Sequence, residues 1–110
     1  MDKIVFVKLS PATAKNKKLK MEFFSLDKKR LKTSQFGSKP NKDYTIYNKE
    51  EGIKKANEER KKYDARHKPR EDWNAPTTNG ALAKWILWNK PTVEASFKDY
   101  LKRFKLKKLS

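Results

Sequence analysis

Residues 79–104, NGALAKWILWNKPTVEASFKDYLKRF, carry the strongest apolar pattern in a chain otherwise dominated by lysine. Val93, Phe97, Tyr100, Leu101 and Phe104 recur at i, i+4, i+7, i+8 and i+11, a full stripe along one face of an α-helix. Just upstream, Leu82, Trp85 and Ile86 stand at i, i+3 and i+4, with Thr78 placed to cap them and Asn89-Lys90-Pro91 to end them. Pro91 suits the first turn of the second helix, where its missing N–H would have no intrahelical partner. Two helices joined by so tight a turn can close their apolar faces on each other. The predicted core is therefore Leu82, Trp85, Ile86, Val93, Phe97, Tyr100, Leu101 and Phe104. Trp88 stands beside the turn, where burial and an interface role both fit its position.

Working toward the N-terminus, Asn48 is placed to cap a further helix that runs to about Lys68-Pro69. Glu50/Lys54, Glu51/Lys55 and Glu58/Lys62 are spaced i, i+4 along it, and Ile53, Ala56, Arg60 and Tyr63 form only a thin inner stripe, as on a surface helix. REDWNAPTTN, residues 70–79, is a loop anchored by Trp73. In the first part of the chain, DKIVFVKL (2–9) reads as a strand closed by Ser10-Pro11, followed by the polar loop PATAKNKKLK (11–20). KMEFFSL and RLKTSQFG, separated by DKK, read as a hairpin, with Met21 and Phe23 on one side and Phe24 and Leu26 on the other. GSKPNKD is a turn, and DYTIY (43–47) a further short strand. The expected fold is α+β: a small antiparallel N-terminal sheet, a surface helix and a C-terminal helical pair. It forms a single domain over 1–110, β-rich and basic over 1–47 and helical over 48–110.

Composition frames what such a domain does. Leu, Ile, Val and Phe total 22 of 110 residues, close to the level of about 20% at which a highly charged chain stays disordered, but 13 aromatic residues favour folding. Twenty-nine Lys and Arg against 13 Asp and Glu leave +16, a self-repelling load that points to a polyanionic partner. Both ends are basic: residues 1–42 carry +9, residues 43–79 only +1 and residues 80–110 +6. There is no cysteine and hence no disulfide framework. The longest apolar run near the N-terminus, IVFV, is too short for a signal-peptide core or a membrane span.

Catalytic patterns are sparse. One histidine and no cysteine make a structural zinc site a poor fit, and the isolated glycines 37, 52 and 80 form no phosphate loop. His67 fits capping or packing better than catalysis. Glu59-Arg60-Lys61 spells a tripeptide used by some metal-dependent nucleases, but it falls on a surface helix whose acids face lysines, and solvated ion pairs explain it. No cofactor is expected. Nucleic-acid binding has more to recommend it, because basic runs are interleaved with apolar residues. KNKKLK supplies Lys15, Lys17, Lys18 and Lys20, and KKRLK supplies Lys28, Lys29, Arg30 and Lys32. The last helix and the segment after it supply Lys98, Lys102, Lys105, Lys107 and Lys108. These are the expected contacts to an anionic partner. Only five arginines are present and none lies in a recognition-helix pattern, which favours phosphate contact over base readout.

QFGSKPNKDYTIYNKEE, KKYDARHKPREDW and NGALAKWILWNKPTVEASFKDYLKRF together resemble a family of small basic proteins of unknown function encoded by large nucleocytoplasmic double-stranded DNA viruses of algae and protists. The resemblance covers about residues 33–104. It is most specific in GALAKWILWNKPTVEAS and DYLKRF, with Arg66-His67 and Trp73 also fitting. It implies a viral protein with no catalytic residues to transfer. The location it implies is the virion and, in the infected cell, the cytoplasm or nucleus. The expected function is that of a non-enzymatic virion structural protein, a minor capsid or internal component. Its partners would be virion or capsid proteins with acidic surfaces, or the genome. The alternative is a sequence-nonspecific DNA- or RNA-binding protein acting through its lysine runs.

Overall fold

A computed structural model describes residues 3–110. It is α+β, a four-stranded sheet with its helices on one face. β1 (Phe6–Pro11), β2 (Lys17–Phe24) and β3 (Arg30–Ser38) form an antiparallel meander, and β4 (Lys107–Lys108) lies parallel to β1, giving the order β3-β2-β1-β4. The helices are α1 (Tyr44–Glu51), α2 (Ile53–His67), α3 (Asn79–Leu82) continuing into a π-helical turn Ala83–Leu87, and α4 (Val93–Phe104). Among the described residues, no helix is long and apolar enough to cross a membrane.

Strand alternation assigns the two faces of the sheet. Val7 pairs with Phe23 and Met21 with Ser34, and all four are buried against the helices together with Phe36. Met21 and Phe23 share one face, as expected, and it is the inward one; Leu26 falls in the hairpin turn and is exposed. The expected strand 2–9 begins four residues later, and Asp2 lies outside the described residues. The polar loop is shorter than expected, because Lys17–Lys20 already belong to β2.

DYTIY is a helix, which corrects the expected strand. Asp43 is the N-cap of α1: its carboxylate accepts from the Ile46 N–H at 3.1 Å and from the Thr45 hydroxyl, while Lys18 on β2 pairs with its other oxygen at 2.8 Å. A buried, doubly anchored cap outweighs the β propensity of Tyr-Thr-Ile-Tyr. The surface helix is accordingly two helices, broken at Gly52, whose φ of 93° favours glycine. The break also changes the ion pairs. Lys42 takes Glu50 and Glu51 at 3.1 and 2.9 Å in place of the expected Glu50/Lys54 and Glu51/Lys55, and within α2 Glu59, not Glu58, pairs with Lys62 at 3.0 Å and with Lys55 at 3.3 Å.

Thr78 caps α3 as expected, accepting from the Ala81 N–H at 3.2 Å. The π turn after it was not legible from spacing. The Trp88 N–H donates to the carbonyls of Ala83 and Lys84 at 3.1 and 3.3 Å, and the wider turn lets three successive residues, Ile86, Leu87 and Trp88, be buried. Pro91 lies before α4 and not in its first turn, because Thr92 is the cap. Lys105, in the left-handed region at φ 55°, ends α4 and redirects the chain into β4. No strand was expected there.

Of the expected core, Leu82, Ile86 and Tyr100 are fully buried, whereas Val93, Phe97, Leu101 and Phe104 pack half-buried along its edge. Trp85 is at the rim, with its indole N–H donated to the Trp73 carbonyl at 2.7 Å and the Arg103 guanidinium 3.7 Å from its ring centroid. Trp88 is the interior indole, 8% exposed and stacked on Tyr63 at 4.3 Å. Trp88→Ala should cost about 3–5 kcal/mol in urea unfolding, and Trp85→Ala distinctly less. Equal costs would contradict the assignment of rim and interior.

Burial raises the phenol pKa of Tyr100 and of Tyr63, the latter also through the nearby Glu71 and Asp64 carboxylates. Both phenols stay protonated in the native state while the unfolded chain loses its phenolic protons from about pH 10. Stability should therefore be independent of these groups below about pH 10 and fall above it. In an alkaline titration, part of the phenolate absorbance should appear only together with the loss of near-ultraviolet circular dichroism.

Candidate nucleic-acid interface

The face of the sheet turned away from the helices is only partly covered. Register places Phe6 opposite Phe24, Lys8 opposite Glu22 and Ser10 opposite Lys20 on it, with Lys107 beside Phe6 from β4. The two phenylalanines are half-buried, and Lys28, from the β2–β3 turn, sits 5.9 Å from the Phe6 ring centroid. Arg30 reaches back over this face to Glu22 at 3.3 Å. At one end the β1–β2 loop closes over it, tied by Gln35, whose side-chain oxygen accepts from the Thr13 and Ala14 N–H groups at 2.9 and 2.7 Å. The result is an apolar centre of two rings bordered by Lys8, Lys20, Lys28, Arg30 and Lys107, with Glu22 among them.

The basic residues singled out from sequence do not form one surface. Lys20, Lys28, Arg30 and Lys107 come together on the open sheet face. Lys98, Lys102 and Lys105 are exposed on the solvent side of α4 and its cap, a separate ridge; Lys15, Lys29 and Lys108 are exposed at a loop, a turn and the sheet edge. Lys18 is committed inside the protein, and Lys32, though exposed, is engaged at the surface. Lys18 binds Asp43, whose side chain is only 3% exposed, and also the Asn41 carbonyl, while Lys32 reaches Thr77 Oγ1 at 3.3 Å. Lys17 faces a cleft on the helical side. Of the thirteen, only Lys18 and Arg30 form ion pairs among the described residues.

Two contributions were missed. Phe6 and Phe24 were read as strand residues, although alternation already puts Phe24 on the face opposite Met21 and Phe23. Lys84, within the apolar block, is 8% exposed, pairs with Asp64 at 2.8 Å and lies 4.8 Å from the centroid of Trp73. It is structural, and nothing in its spacing marks it so. Among the described residues, no three His, Asp or Glu side chains cluster as metal ligands. Compared with protein-family models, curated proteins and solved structures, the chain matches none.

The committed and uncommitted lysines should behave oppositely. Lys18→Gln strips a buried carboxylate of its partner and should cost about 3 kcal/mol or more. Replacing Lys98, Lys102 and Lys105 together by Gln should leave stability within about 1 kcal/mol. Chemical denaturation of both variants checks this.

Proposed function

We propose that the protein is a non-enzymatic, sequence-nonspecific binder of single-stranded nucleic acid that works through the open face of its sheet. The observation that carries this reading is the pair Phe6 and Phe24 side by side, half-buried, on the sheet face turned away from the helices and bordered by lysine and arginine. Bases unstacked from a single strand find aromatic side chains there, and the border supplies cations for the backbone. Lysine-rich contacts hold phosphates without reading bases, which supports a lack of sequence preference. The resemblance of residues 33–104 to the viral family supports a place beside a packaged genome.

A second reading, a virion structural component bridging acidic protein surfaces, is favoured by the ridge of Lys98, Lys102 and Lys105, a basic surface without aromatic residues. Proteomics of purified particles with and without their genome separates the two: loss with the genome supports the first, and retention in empty particles the second.

In an anisotropy titration with a labelled single strand, affinity should fall about a hundredfold between about 50 and 200 mM salt, the slope for roughly five phosphate contacts. Phe6→Ala with Phe24→Ala should weaken single-strand binding at least about tenfold. Lys20→Gln with Lys107→Gln should flatten the salt dependence without touching the rings. Salt-independent affinity, or sheet-face variants that bind as the parent does, would defeat the proposal.

A further inference from the structure

On the helical side, between the β2–β3 hairpin and α2, lies a cleft of about 570 Å³. That is within the range of about 300–1,000 Å³ typical of small-molecule sites. Its wall is a stack of three rings. Tyr63 lies between Trp88 and His67, with centroids 4.3 and 4.1 Å away and planes 11° and 24° from parallel. Glu71 fixes the outermost ring: one oxygen is 3.1 Å from His67 Nδ1, and the other accepts the Trp73 indole N–H at 2.9 Å. Gly80 makes room for that carboxylate, since a Cβ there would come within 2.8 Å of the Glu71 Cδ and push the side chain aside. Nδ1 being engaged, Nε2 of His67 is left for another partner. Tyr47, half-buried and tilted against Trp88, lines the same space.

The charges along this cleft are unequally committed. Asp43 is paired with Lys18, Glu59 with Lys55 and Lys62, and Glu71 is engaged by His67 and Trp73. Lys42 is held by Glu50 and Glu51. Lys17 and Arg66 also line the cleft and have no ion-pair partner among the described residues. The Tyr63 hydroxyl makes no hydrogen bond among the described residues, yet it is not sealed from solvent. Every acid is thus answered internally, and two cations, a phenol and an imidazole nitrogen remain beside a wall of rings.

We propose that this cleft binds a nucleoside phosphomonoester, with Arg66 and Lys17 on the phosphate and the base against the aromatic wall at Tyr47. Arginine and lysine recognise phosphate oxygens through charge-assisted hydrogen bonds, and a bare phosphate would leave most of the space empty. The ligand is either a free mononucleotide or the phosphorylated end of a strand. The inference stands on different residues from the sheet-face reading, so either can fail alone.

The test is a titration of the full-length, isotope-labelled protein with adenosine 5′-monophosphate, followed by nuclear magnetic resonance. The expected result is saturable shifts at Tyr47, Tyr63, His67 and Trp88, weaker binding of adenosine and of inorganic phosphate, and a loss of about tenfold or more in Arg66→Gln with Lys17→Gln. Both positions lack internal partners, so the fold should survive; Arg66→Lys should recover part of the affinity. Lys20→Gln with Lys107→Gln on the sheet face should leave the nucleotide affinity unchanged. In the Phe6→Ala, Phe24→Ala background, an oligonucleotide with a terminal phosphate that outbinds both its hydroxyl-ended twin and the mononucleotide identifies a strand end as the source. Equal affinity with the mononucleotide identifies the free nucleotide. The inference is overturned if the nucleotide moves none of the cleft resonances, or if binding is indifferent to Arg66 and Lys17.

Discussion

The helical layer is organised by the burial of one short segment, Ala81–Trp88, on nearly all of its sides. Ala81, Leu82, Ile86, Leu87 and Trp88 are buried, as is the aliphatic stem of Lys84 between them. An ordinary α-helix presents one apolar stripe, whereas a segment enclosed all round needs neighbours in every direction. Here they are the sheet on one side, Tyr63 of α2 stacked on Trp88 on another, and α4 on a third. The π turn is what makes the enclosure geometrically possible, by redirecting three consecutive side chains into the interior. The cost is a lysine drawn inside, and burial of an ammonium is tolerated only with a partner. Asp64 and the Trp73 ring supply one, which fixes the last turns of α2 and the following loop against the same segment.

The fold class was legible because its signals were local and periodic. The stripe of α4, the Thr78 cap and the β2–β3 hairpin needed no knowledge of distant residues. What escaped depended on partners far along the chain. Tyr44 to Tyr47 have strand-like composition, and only Lys18, placed on a strand 25 residues earlier, shows why Asp43 is held as a cap. β4 is two residues long, with no propensity signal, and exists because β1 offers a free edge. The second sheet face was half visible: alternation set Phe24 opposite Met21 and Phe23, but which face is outward, and its pairing with Phe6, required the structure. The lysine runs were visible as charge, yet sequence treated Lys18 and Lys20 alike, when the Asp43 cap makes the first a structural ion and leaves the second a surface cation, a difference that strand alternation could not show for residues two apart.

How a +16 chain of this size stays compact follows from where its acids went. The nearly neutral middle of the sequence uses most of its carboxylates on the Asp43 helix cap, local ion pairs and the Lys84 clamp, so few of them are left to answer the basic ends. The surplus is pushed to the sheet's open face, the α4 ridge and the connecting turns, which are far enough apart for solvent and salt to screen them. Binding one anionic ligand therefore relieves repulsion without disturbing the interior, and whatever binds the native state alone adds to its stability by mass action.

That separation gives the segment after α4 a double part. Once Lys105 turns the chain, Leu106 packs against the core and the Lys107 and Leu109 N–H groups pair with the Val5 and Val7 carbonyls at 2.9 and 2.8 Å. The same pairing sets Lys107 beside Phe6 on the open face. Two residues of edge strand are weak support on their own, because few hydrogen bonds hold them and both lysines are exposed. A phosphate bound between Lys107 and its neighbours would reward the paired arrangement over the detached one. Ligand and edge strand would then stabilise each other, since ordering either lowers the cost of ordering the second. In this arrangement the basic end of the helical half completes a surface built by the N-terminal half, which links the two concentrations of charge through backbone hydrogen bonds.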